Sequence, residues 1–210
     1  MGLKKKGKFM IIGLAGSKGS GKDTFAKLCV DIINEEEGHL ACVQSWAYLL
    51  KKSAAATLGI DIDDINSWAD SMKNEGQVEA AWYDDSDNVV TISGREFLQN
   101  YGTEAHREIF GKDFWVNAFW EENDEAALNI VDVMFIADTR FENEAQSIKD
   151  RGGIVLRIDR GLAKSNDTHA SELGLPGELI DIVVDNNGTL YELEQSARTF
   201  VNSIKTLKVD

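Results

Sequence analysis

Gly16-Ser17-Lys18-Gly19-Ser20-Gly21-Lys22-Asp23-Thr24 is the stretch that decides the fold of this chain. It follows the apolar run Phe9–Ala15, which reads as a buried strand. It precedes Phe25–Ile33, whose apolar residues recur at the i, i+3, i+4, i+7 spacing of a helix. The G-x4-G-K spacing between a strand and a helix is that of a phosphate-binding P-loop. Glycines let the backbone curl so that successive N–H groups point into one concavity. The following helix adds the partial positive charge of its N-terminus. Gly16, Gly19, Ser20 and Gly21 are therefore the candidate cradle, and Lys22 is the point charge for the β- and γ-phosphates. Asp23 stands where Ser or Thr usually follows the lysine, with Thr24 after it. A carboxylate suits a hard cation, so Asp23 is a candidate Mg²⁺ ligand, directly or through water. Such a loop names a nucleoside triphosphate as ligand and leaves the reaction open.

The rest of the chain narrows the class. A length of 210 residues suits one domain, here 1–210, with room for an insertion. The formal charge of −14 opposes non-specific binding to DNA or RNA, so cationic phosphate ligands must be concentrated locally. The basic run Lys4-Lys5-Lys6-Gly7-Lys8 reads as a solvated lead-in to the first strand. Cys29 and Cys42 lie among apolar neighbours without CxxC or histidine partners, as expected of reduced, buried thiols in the cytoplasm. No apolar stretch reaches about 18 residues and no signal peptide is visible. The expectation is a protein with neither a membrane partner nor a nucleic-acid partner.

Five short apolar runs read as strands: 9–15, 40–45, 131–137, 154–158 and 180–184. Helical patterns separate them, which implies an α/β fold with a five-stranded parallel sheet covered by helices on both faces. Ser93-Gly-Arg-Glu96 and Thr189-Leu-Tyr-Glu192 are capping boxes. The first opens a helix of about 16 residues. Residues 60–92 read as a surface insertion, either a cover on the substrate side or decoration. Residues 159–176, with Arg160, Lys164 and the polar run Ser165–Glu172, read as a lid over phosphates.

On the helix from Gly94, a rotation of 100° per residue puts Phe97, Leu98, Tyr101, Ala105 and Ile109 on one apolar face. Arg95, Gln99, Gly102 and His106 form a stripe opposite. That stripe suits either a phosphate and a base edge or plain solvent, and His106 reads as a surface histidine. Asp138-Thr139-Arg140 ends the third predicted strand, where parallel sheets bind ligands. Asp138 is a candidate for Mg²⁺ or its waters, and Arg140 for a bidentate phosphate clamp; a local Asp–Arg pair is the alternative. His169 and Glu172 either order the lid or are structural. Asp185-Asn186-Asn187-Gly188 is a turn, and it lies where an adenine base can sit.

In this order, Ser20-Gly-Lys-Asp-Thr24, Leu98-Gln-Asn-Tyr-Gly-Thr-Glu104, Phe114-Trp-Val116, Asp138-Thr-Arg140 with Glu144, Ser165-Asn-Asp-Thr-His169 with Glu172, and Asn186-Asn-Gly-Thr-Leu190 resemble the bacteriophage deoxynucleoside monophosphate kinases. The likeness covers most of the chain outside 60–92. It implies a P-loop NTPase fold like that of nucleoside monophosphate kinases, ATP with Mg²⁺, and a deoxynucleoside monophosphate (dNMP) as substrate. It also implies that Gly19, Gly21, Lys22, Asp23 and Thr24 hold the ATP phosphates. Lys18, Arg95, Gln99, Gly102, Thr103, Trp115, Asp138, Arg140 and Glu144 fall on the monophosphate side. His169 and Glu172 are added there from the lid, and Asn186 to the ATP side. Lys18, Lys22, Arg140 and Arg160 are the expected catalytic cations. A homodimer would suit the family, and a phage origin would place the protein in the host cytoplasm. Rival readings are a P-loop kinase for another small acceptor, such as dephospho-coenzyme A, and a non-catalytic nucleotide switch.

Overall fold

The computed structural model describes residues 9–35, 39–59, 82–83, 86–87, 89–90, 94–123, 130–161 and 174–206. In chain order the elements are β1 (Met10–Ala15), α1 (Lys22–Asn34), β2 (Ala41–Gln44), α2 (Ala47–Leu58), β3 (Trp82–Tyr83), β4 (Val89–Val90), α3 (Gly94–Gly102), α4 (Phe114–Glu122), β5 (Val133–Ile136), α5 (Glu142–Asp150), β6 (Ile154–Asp159), β7 (Ile182–Asp185) and α6 (Leu190–Thr206). A π-helical turn, Thr103–Arg107, and a short α-helical end, Glu108–Phe110, continue α3.

Two compact units emerge, 1–46 with 120–210, and 47–119. The first holds a five-stranded sheet in the order β2-β5-β1-β6-β7, parallel throughout. The five expected strands are these, with ends shifted by a residue or two. Their continuous apolar runs reflect burial on both faces. Ile12 pairs with Phe135 on one side and Ile154 on the other. On one face Ile12, Leu14, Phe135 and Leu156 pack with Phe25, Cys29 and Ile33 of α1 and with Ala197, Phe200 and Val201 of α6. Phe25 and Phe200 meet at 5.9 Å between ring centroids, joining the two helices. Burying each such side chain contributes about 1.5–3 kcal/mol. On the other face, a Cβ on Gly13 would lie 2.5 Å from Ile148 Cδ1 of α5, so glycine lets that helix close on the sheet. The progress of the chain across the sheet reverses at β1, and the P-loop leaves its C-terminal end, where open parallel sheets bind ligands.

The start of α6 carries its expected cap. Glu192 accepts the Thr189 N–H at 2.7 Å and the Thr189 hydroxyl at 2.9 Å, and the Glu192 N–H points back to that hydroxyl at 3.3 Å. Ser93 of the other expected box lies outside the described residues, as do most of 60–92 and residues 162–173.

In the second unit, Ala54 of α2 and Leu98 of α3 are buried, with Leu50, Phe97 and Tyr101 packed against them. β3 and β4 form a two-stranded antiparallel ladder. The expected apolar face of the long helix holds only as far as Gly102. Over Thr103–Arg107 the wider i→i+5 turn rotates less per residue, so the 100° projection loses register. Ala105 and Ile109, expected on the apolar face, are exposed.

Candidate functional site

The loop from Gly16 to Lys22 is built by three glycines in the positive-φ region: Gly16 (140°), Gly19 (76°) and Gly21 (96°). Gly16 has a second constraint, since a Cβ there would sit 2.5 Å from the Ile158 carbonyl oxygen. Lys22 folds back over the loop. Its Nζ donates to the carbonyls of Gly16 at 2.7 Å and Ser17 at 2.8 Å. Ser20 is fully buried, and its hydroxyl has no hydrogen-bond partner among the described residues. Lys18, Asp23 and Thr24 are exposed on the loop and the first turn of α1. The result is a curled backbone at a helix N-terminus carrying a buried ammonium group, which is anion-binding chemistry.

Asp138 follows β5. Its Oδ2 accepts the Ser45 hydroxyl at 2.7 Å, and its Oδ1 accepts the Trp46 N–H at 2.8 Å. The carboxylate thereby fixes the corner after β2. Trp46 is held further by its indole N–H on Thr139 Oγ1 at 3.3 Å and by an edge-on contact with Trp120 at 5.6 Å. Arg140, half-buried, is fixed through its backbone. Glu144, 2% exposed, accepts the N–H of Arg140 at 2.8 Å and of Phe141 at 3.0 Å. This caps the N-terminus of α5, so Glu144, expected on the monophosphate side, holds the Arg140 backbone.

Arg160, at the root of the expected lid, reaches the P-loop: its Nη1 lies 3.5 Å from the Gly19 carbonyl oxygen. Asn186 lies beneath the same loop, with its Nδ2 donating to the Ser20 carbonyl at 2.7 Å. The expected turn at 185–188 forms, with the Asn187 N–H on Asp185 Oδ1 at 2.9 Å. His169 and Glu172 lie outside the described residues. Cys29 is buried in the core, which pushes its thiol pKa up, and Cys42 is half-buried and shifted the same way.

In the second unit, Arg95 occupies the first turn of α3, and Gln99 and Thr103 are half-exposed. Gly102 is buried: a Cβ there would run into Leu50, and its carbonyl accepts the Trp115 indole N–H at 3.0 Å. The stripe expected to be polar is thus covered at this point, and Trp115 is a core residue with its one donor engaged. His106 is no surface histidine. Its half-buried ring lies 4.5 Å from Tyr101, 4.9 Å from Trp115 and 5.2 Å from Phe114, with Nδ1 on the Tyr101 carbonyl. Aromatic packing on the π-helical turn overrides the projected solvent face. The sequence carried a signal for it in Phe110, Phe114 and Trp115, which follow within one helical hairpin.

A profile described as deoxynucleotide monophosphate kinase matches residues 33–197. The chain belongs to the deoxynucleotide monophosphate kinase family. The P-loop lies N-terminal to the matched segment, so the phosphate-binding geometry and the family match are separate observations. Relatives agree with the match. A protein of Acanthamoeba polyphaga mimivirus, provisionally named for the same activity, is 31% identical over 191 residues, covering 87% of this chain and 91% of its own. The deoxynucleotide monophosphate kinase of enterobacteria phage T4 is 32% identical over 115 residues, covering 55% of this chain and 46% of that protein. Among solved structures, the Mycobacterium tuberculosis APS kinase CysC in complex with AMPPNP and APS is 15% identical, with a TM-score of 0.46, covering 93% of this chain and 99% of that one. No described helix is long and apolar enough to cross a membrane.

Proposed function

We propose that this protein transfers the γ-phosphoryl group of ATP to the 5′-phosphate of a dNMP, giving ADP and the deoxynucleoside diphosphate. The observation that carries the reading is the glycine-built loop closing on Lys22 in a chain of the deoxynucleotide monophosphate kinase family. The attacking oxygen already belongs to a phosphate, so no strong general base is required. Catalysis then consists of positioning and charge neutralisation.

Lys22 and the loop N–H groups would bind the β- and γ-phosphates. Asp23 and Thr24 would face the same triphosphate from the first turn of α1. Lys18 and Arg140 are assigned to the charge that develops between donor and acceptor, and Arg160 to the donor from the root of the lid, where it already lies beside Gly19. Arg95, Gln99, Gly102 and Thr103 are assigned to the acceptor on the family resemblance. His169 and Glu172 are assigned to the lid side of the acceptor on the same ground. Trp115 supports Gly102, and Glu144 supports Arg140.

The residues fit a magnesium ion. Asp23 and Thr24 offer oxygen donors beside the phosphate loop, and Asp138 offers a carboxylate oriented by two donors. A magnesium ion is commonly held by one or two carboxylates together with substrate phosphates. When bound, the ion would supply neutralisation of the phosphate charge.

The test is ADP release with ATP and each dNMP and ribonucleoside monophosphate in turn, with dephospho-coenzyme A as a competing acceptor. Turnover with at least one dNMP is expected. ADP release that ignores every dNMP, or that responds only to dephospho-coenzyme A, would reject the reading.

A further inference from the structure

Asn186 is held from several sides. Its backbone N–H donates to the Asp159 carbonyl at 2.7 Å, tying the end of β7 to the end of β6. Its side chain, 7% exposed, donates from Nδ2 to the Ser20 carbonyl at 2.7 Å, across 166 residues of sequence. A Cβ on Gly21 would run into that same amide, so this glycine leaves the space through which Asn186 reaches the loop. The next residue stiffens the turn: the Asn187 N–H and Nδ2 both donate to Asp185 Oδ1, at 2.9 and 2.6 Å, and its Oδ1 accepts the Gly161 N–H.

The Ser20 carbonyl and the Gly21 N–H belong to one peptide group. That group is planar and trans, so the two point in opposite directions. Fixing the carbonyl on Asn186 therefore turns the Gly21 N–H away from Asn186. One N–H of the buried Asn186 amide is used in this bond, which ties the side chain to the loop backbone.

We propose that Asn186 is a positioning residue of the phosphate loop, acting on the triphosphate through the Ser20–Gly21 peptide and not through contact with adenine. The proposal rests on the triphosphate-binding half of the function proposed above and does not depend on the acceptor.

The experiment compares wild type with Asn186→Ala and with Asn186→Leu, which keeps the volume but has no donor. Binding of ATP, GTP and inorganic tripolyphosphate is measured by calorimetry without any acceptor, together with the thermal melting of each protein. A buried carbonyl left unpaired predicts a loss of about tenfold in both variants. Because tripolyphosphate has no base, its loss should equal that for ATP, and the ratio of ATP to GTP affinity should stay as in wild type. A loss confined to ATP, or a changed ATP-to-GTP ratio, assigns Asn186 to the base and overturns the proposal. Unchanged tripolyphosphate binding also overturns it, as does failure of both variants to fold, which would make Asn186 a residue of the fold. Failure of wild type to phosphorylate any dNMP would reject the kinase reading and leave these binding results standing.

Discussion

The buried carboxylate of Glu144 holds the backbone N–H of Arg140 at 2.8 Å. Arg140 is the candidate phosphate clamp, and the group that fixes its main chain is four residues on, in the first turn of α5. Glu144→Ala should remove two hydrogen bonds to backbone N–H groups and cost about 1–3 kcal/mol of stability. In a chain of this size that is a fall in Tm of roughly 3–10 °C. Glu144→Gln keeps an acceptor oxygen, so its melting temperature should lie between those of alanine and wild type. Equal melting of all three would detach Glu144 from the cap.

Lys22→Ala should lower kcat by roughly 10²-fold or more, the scale for losing one preorganised charge at a developing anion. It donates to the carbonyls of Gly16 and Ser17 in the loop, outside the sheet, and Tm is expected to move little. A variant that keeps full turnover removes Lys22 from the chemistry, and one that unfolds makes it a residue of the core.

Much of this architecture was readable because it is local. Both faces of the parallel sheet are covered, so each strand is a short, continuous apolar run. The glycines and lysine of the P-loop sit at fixed spacing, and the Thr189–Glu192 box spans a single turn. Three other features left no such trace. Asn186 reaches Ser20 across 166 residues. Glu144 caps a helix whose N-cap is Phe141, a residue type that announces no cap. The π-helical turn at Thr103–Arg107 has no period that a 100° projection can detect, and it hid the aromatic setting of His106, while the burial of Gly102 comes from Leu50 and the Trp115 indole.

Arg140→Lys should not behave as a conservative change. Lysine keeps the charge and loses the planar fork, so kcat/KM for the acceptor should fall markedly while ATP affinity changes little. The check is steady-state kinetics with dNMP varied at saturating ATP, set beside ATP binding by calorimetry. An equal fall in ATP affinity with unaltered acceptor kinetics would move Arg140 to the donor side.

Glu192 supplies a pH-dependent increment of stability. The Thr189 backbone N–H and hydroxyl donate to its carboxylate and hold its pKa below the ordinary glutamate value. A depressed folded-state pKa stabilises the fold above the unfolded value, about 4.3, and the increment is lost as pH falls through the folded value. Glu192→Gln does not titrate. Wild type should therefore melt above this variant at pH 7, with the gap shrinking as the pH drops below about 4. A gap that is constant from pH 7 to pH 3 would show that the cap works without the charge.

Gln99 should act on the acceptor. It is half-exposed on α3, one turn after Arg95 and three residues before the buried Gly102, whose carbonyl is held by Trp115. Gln99→Ala should lower kcat/KM for dNMP by roughly 1–3 kcal/mol, the cost of leaving a polar partner unpaired. KM for ATP should stay within about twofold of wild type. At least two different dNMPs are needed, since a uniform loss indicates positioning and an uneven one indicates reading of the base. If ATP and every dNMP are handled as in wild type, the exposed edge of Gln99 faces only solvent, and base selection must come from elsewhere in the chain.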